Sequence, residues 1–131
     1  MVSGIEDLVR KLALEDKDYQ KRAYDLVLES FDYMLSHIGR AGRRKSFDVL
    51  DFLSGFRLFA FSNYGALAGD VLKSFGLRSS MDIGRVVYRL VEAGLLSSSE
   101  KESLDDFSNR FDFGEAFSIE SYFSLRENIN S

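Results

Sequence analysis

The chain has 131 residues, 45% of them hydrophobic and 29% charged, with a formal net charge of −4 and neither cysteine nor proline. That length supports one domain whose core needs no disulfide or metal staple, and the absence of thiols excludes disulfides, thiolate zinc sites and cysteine nucleophiles. The longest uninterrupted apolar run, Leu58-Phe59-Ala60-Phe61, is too short to span a bilayer, and Glu6 and Asp7 interrupt any signal-like core, so a cytoplasmic protein with no membrane segment is expected.

The charge is unevenly spread. Residues 1–39 carry 5 basic and 8 acidic side chains, residues 40–90 carry 9 and 4, and residues 91–131 carry 3 and 9. A basic middle fits either an anionic partner or an acidic end that folds back against it, and the internal reading has the larger share.

Ser3-Gly4-Ile5-Glu6 reads as a capping box, and Ile5, Leu8, Val9 and Leu12 follow at helical spacing. From Tyr19 a second stripe, Ala23, Leu26, Val27, Ser30, Met34 and Ile38, predicts the longest helix, ending at Gly39. The lone His37 near that end suits a helix terminus; with no second histidine it supports no metal site. Arg40-Ala41-Gly42-Arg43-Arg44-Lys45 reads as a basic connection, after which Ser46 offers a cap for a helix over Phe47 to Phe61. The apolar positions of that helix are too widely spread for one stripe, so burial on more than one side is expected.

Leu67, Ala68, Val71, Leu72 and Phe75 predict a helix that Gly76 terminates. The stretch Ser80 to Leu96 then has Ile83, Val86, Val87, Leu90 and Val91 on one face and Asp82, Arg85, Arg89 and Glu92 on the other. Ser80 is expected to cap its start, Gly94 to close it, and its apolar face to organise the fold. Ser99 with Glu102 suggests a further capping box and a short acidic helix, Phe113 and Phe117 plug the core, and residues 118–131 form a poorly ordered tail. The expectation is a mainly α single domain over residues 1–117, of about six helices with a helix-turn-helix, winged-helix-like core.

Several segments carry a resemblance. Asp82-Ile83-Gly84-Arg85-Val86-Val87, Leu90-Val91-Glu92-Ala93-Gly94-Leu95-Leu96, Glu102 to Phe107 and Phe111-Asp112-Phe113-Gly114-Glu115-Ala116-Phe117 resemble a family of short, uncharacterised bacterial proteins, over roughly residues 5–117. The chain departs from that pattern at Arg44-Lys45-Ser46-Phe47 and at Gly65-Ala66. The resemblance implies a helical fold in a bacterial cytoplasm and transfers no catalytic residue. A looser resemblance is to winged-helix domains, with Phe47–Phe61, Ala66–Phe75 and Ser80–Ala93 in the three helical places and an acidic segment 97–111 where a wing is expected.

Three functions compete. A nucleic-acid module would use Arg43, Arg44, Lys45, Arg78, Arg85 and Arg89 as phosphate and base contacts through segment 40–45 and helix 80–93. Asp82 with Arg85 and Arg89 with Glu92, each at i, i+3, give the competing account of a solvated face laced with weak ion pairs. An enzyme would draw on Asp105, Asp106 and Asp112, or on Glu92 with Tyr88, and none of these makes a recognisable catalytic set. The favoured expectation is a non-catalytic protein-interaction module without cofactor or metal, binding a protein partner or itself, with nucleic-acid binding as the alternative.

Overall fold

In a computed structural model of the chain, residues 4–38, 49–96, 104–108 and 112–130 are described. They form α1 (Gly4–Glu15), α2 (Lys21–Ile38), α3 (Val49–Tyr64), a 3-10 turn (Gly65–Leu67), α4 (Ala68–Ser74), α5 (Ser80–Glu92), a second 3-10 turn (Leu104–Phe107), the single-turn α6 (Phe113–Ala116) and α7 (Ile119–Asn130), with no strand among them. The mainly α reading holds. The basic run with Arg43, Arg44 and Lys45, the capping serines Ser3, Ser46 and Ser99, and the side chain of His37 lie outside the described residues.

The centre of the fold is α2. Ala23, Tyr24, Leu26, Val27, Ser30 and Met34 are buried along it, and α1, α3 and α5 all pack on this one helix. The Ser30 hydroxyl donates to the Val27 carbonyl at 2.7 Å, so the one polar side chain in the stripe is satisfied within its own helix. α5 is therefore one of three helices docked on α2 and not the element around which the others gather. α2 approaches α3 closely over Gly55, where an added Cβ would sit 2.6 Å from Met34 Cγ and Sδ.

α3 is buried on more than one side, as its dispersed apolar residues require. Phe52 stacks on Phe31 of α2 at 4.4 Å and meets Phe107 edge-on at 6.5 Å. Further along, Phe61 lies 5.4 Å from both Phe117 and Tyr122. One helix thus holds both C-terminal segments through aromatic contacts. Past Phe117 the chain continues as α7, which is anchored by Tyr122, with Leu125 half-buried, and the Ser118 and Ser121 side chains bond the α6–α7 junction.

The ends of α4 and α5 use the same device. Gly76 (φ 100°) and Gly94 (φ 79°) adopt the left-handed conformation, and Leu77 N–H and Leu95 N–H reach back to Leu72 and Leu90 carbonyls at 2.9 Å. The start of α5 differs from expectation. Ser79, not Ser80, is the cap, accepting from Asp82 N–H at 3.2 Å, while Ser80 turns inward and donates to the Phe107 carbonyl at 2.5 Å. Two adjacent serines divide the tasks, and the buried carbonyl of a distant turn decides which does which. Phe107 also packs against Gly84, where an added Cβ would meet the ring at 2.5 Å.

Gly84 is thus the contact point between α5 and the Leu104–Phe107 turn. Gly84→Ala should destabilise the fold by about 1–3 kcal/mol through overpacking, although alanine favours a helix by about 1 kcal/mol. Urea denaturation read by far-UV circular dichroism checks this; a gain in stability would mean that Phe107 does not pack there.

Candidate functional site

A connected network of polar side chains is assembled where the α1–α2 connection meets the outer face of α5. Asp16 ends α1 with an Asx turn, its Oδ1 accepting from Asp18 N–H at 2.7 Å and Tyr19 N–H at 3.2 Å. Its Oδ2 accepts from the Tyr24 hydroxyl and from Arg89 Nη1. The Asp16 side chain is only 4% exposed and that of Arg89 36%. Arg89 also lies over the Tyr19 ring, 5.3 Å from its centroid.

A second half of the network runs beside it. The Tyr19 hydroxyl donates to Asp82 Oδ1 at 2.6 Å, and Arg85 Nη1 reaches the same oxygen at 3.2 Å. Asp82 Oδ2 accepts from Arg78 N–H at 2.9 Å. Asp82 and Arg85 therefore form the expected i, i+3 pair, whereas Arg89 turns away from Glu92 to a carboxylate 73 residues earlier in the chain. A nearly dry acceptor outbids an exposed one, because attraction between charges grows as water is excluded.

Burial alone would raise the Asp16 pKa; hydrogen bonds from Tyr24, the Asp18 N–H and Arg89, together with the Arg89 charge, outweigh it and hold the carboxyl below the usual range. Burial, and then a hydrogen bond to a carboxylate, pushes both Tyr19 and Tyr24 up to about 12. The same contacts keep Arg89 charged, against its burial.

Of the six cations expected to contact a partner, Arg78, Arg85 and Arg89 lie in order along α5 and its N-terminal approach, and Arg43, Arg44 and Lys45 fall outside the described residues. Arg85 and Arg89 have internal carboxylate partners; Arg78 is exposed. Of the candidate acids, Asp112 caps α6 by accepting from Gly114 and Glu115 N–H groups, Tyr88 and Glu92 are exposed on α5, and the Asp105 side chain lies outside the described residues. Among the described residues no group of three or more histidine or acidic side chains is placed to hold a metal, and no helix is long and apolar enough to cross a membrane. The sequence reading missed Asp16; its signal was the Asp-Lys-Asp turn chemistry after an acidic helix end.

A second surface is apolar. Leu67 is 62% exposed on the first 3-10 turn, and Ile119 and Phe123, 55% and 48% exposed, lie at i, i+4 on α7. α7 packs on that turn, and Gly69 of α4 packs on Phe117, so the elements that carry the three side chains adjoin at one corner of the molecule. Ile5 and Leu8 of α1 are exposed as well, but among charges of both signs: Glu6 pairs with Lys21 and Asp7 with Arg10.

Asp16→Ala should cost about 3 kcal/mol, the usual penalty for leaving one partner of a buried pair uncompensated. A carboxyl whose pKa is lowered on folding contributes stability above its unfolded value, about 4, and loses it as pH falls through the folded value. Acid titration of stability should therefore be shallower in Asp16→Asn than in the wild type; identical acid limbs would remove Asp16 from the linkage. The tyrosines act in the opposite sense: their contribution is complete below about pH 10 and is lost as pH rises toward 12. Comparison of the chain with protein-family models, with curated proteins and with solved structures gives no match.

Proposed function

We propose that the chain is a non-catalytic, cytoplasmic protein-interaction module that docks a partner on the corner formed by Leu67, Ile119 and Phe123. The observation that carries this reading is the exposure of three large apolar side chains on adjoining elements, in a domain whose other described aromatic residues, Tyr88 apart, are buried or half-buried. Apolar groups left in water beside a well-packed core are the usual mark of a docking surface.

Nucleic-acid binding through segment 40–45 and helix 80–93 ranks second. Arg85 and Arg89, the helix cations it needs, would have to leave Asp82 and Asp16 to reach phosphates, and α5 is supported chiefly by α2 and the Leu104–Phe107 turn rather than by α4. In a helix-turn-helix the paired helices support each other.

Two measurements test these readings. A photo-reactive phenylalanine analogue at position 123 should give a discrete protein adduct in the cells that make the protein, lost when Ile119→Ser is added, while the same group at the exposed Leu14 should give none. Equal labelling from both positions, or none from 123, refutes the docking corner. Duplex DNA or RNA should show no saturable binding at about 0.15 M salt; saturable binding abolished by Arg78→Glu with Arg85→Glu, at unchanged melting temperature, would put the second reading first.

A further inference from the structure

The described acids differ in their surroundings. On α1, α2, α5 and the α1–α2 connection, Glu6, Asp7, Asp16, Asp25, Glu29 and Asp82 each have a cation within ion-pair distance, while Glu15, Asp32 and Glu92 face water. Around the apolar corner, Asp70, Asp112, Glu115 and Glu120 are all exposed, and none of them forms an ion pair with another described side chain.

These carboxylates border the apolar side chains. Asp70 follows Leu67 by three residues across the junction of the 3-10 turn with α4, and Glu120 precedes Phe123 by three on α7, the spacing of neighbours on a helical surface. The Glu115 carbonyl accepts from the Ser121 hydroxyl at 2.7 Å, which holds α6 against the first turn of α7. The exposed cation among the described side chains of α4, α6 and α7 is Lys73. Like charges gathered at a rim repel one another and gain when an opposite charge arrives, most of all beside apolar surface that loses its water at the same time.

Resting on the docking corner proposed above, we infer that its occupant is a basic amphipathic helix of a partner protein. Leucine-like side chains would cover Leu67, Ile119 and Phe123 while lysines or arginines on the flanks meet Asp70, Glu115 and Glu120. Helix-in-groove recognition supplies this combination, with apolar anchors at i, i+3, i+4 and i+7 and charges that set orientation. A nucleic acid or an acidic peptide would meet the rim with the wrong sign.

The probe is a fluorescein-labelled 18-residue leucine/lysine amphipathic peptide, with a leucine/glutamate peptide of the same pattern as control, titrated against the full chain by anisotropy at low and high salt. Saturable binding of the basic peptide is expected, weaker by at least tenfold in Ile119→Ser/Phe123→Ser and in Glu115→Lys/Glu120→Lys, and weaker at high salt in the wild type. Both variants change exposed side chains, and thermal melts confirm that they fold. Equal binding of the two peptides, no saturable binding, or loss in only one of the variants overturns the proposal. So does a wild-type dimer in light scattering that Phe123→Ser dissociates, since the occupant is then a second copy. A discrete adduct at position 123 together with no preference for the basic peptide sinks the charge assignment and leaves the docking corner standing; no adduct removes both.

Discussion

The constraint on which the rest of the structure depends is that one helix, α2, must satisfy three neighbours at once. A single amphipathic helix covers a partner with one stripe, but α2 presents Ala23, Tyr24, Leu26, Val27 and Met34 over an arc wide enough for α1, α3 and α5. Where α3 crosses it, Gly55 leaves the room that the large Met34 side chain fills. The aromatic residues of α3 then extend the core away from α2 toward α6 and α7.

Much of this was legible because the signals are local. The α2 stripe, the glycine ends at Gly76 and Gly94 and the dispersed apolar pattern of α3 are decided within a few residues, and each element formed where its own sequence placed it. Where distant groups decide, the local reading went astray. Ser79 and Ser80 are equivalent as caps until the Phe107 carbonyl, 27 residues on, claims one of them. Residues 119–130 show weak periodicity, since Tyr122 is held by Phe61 rather than by a stripe on its own helix. Arg89 had a plausible partner in Glu92, and a drier one in Asp16 that no spacing rule connects to it.

The same distinction separates the two surfaces that matter for function. At the junction of α1, α2 and α5 the charges are used up on one another, which gives rigidity and leaves little to offer a ligand. At the corner of α4, α6 and α7, apolar side chains and carboxylates alike are left facing water. For the candidate contacts on α5, the i, i+3 rule supplies the Asp82–Arg85 pair; what no sequence rule supplied was that Arg89 is held by Asp16.

The pairing of Asp16 with Arg89 has a consequence for biosynthesis. At about 5–20 residues per second on the ribosome, the 73 residues between them take on the order of 4–15 s to appear. During that interval α1 and α2 exist without α5, so the part of the α2 stripe that α5 will cover is open to any passing hydrophobic surface. Asp16 itself bears no penalty while it waits, because an unpaired carboxylate is comfortable in water. Only when Arg89 arrives do the two charges dry together. Closure of the nascent domain is thereby tied to translation of α5, and a chain stalled before residue 89 leaves the ribosome with its central helix uncovered.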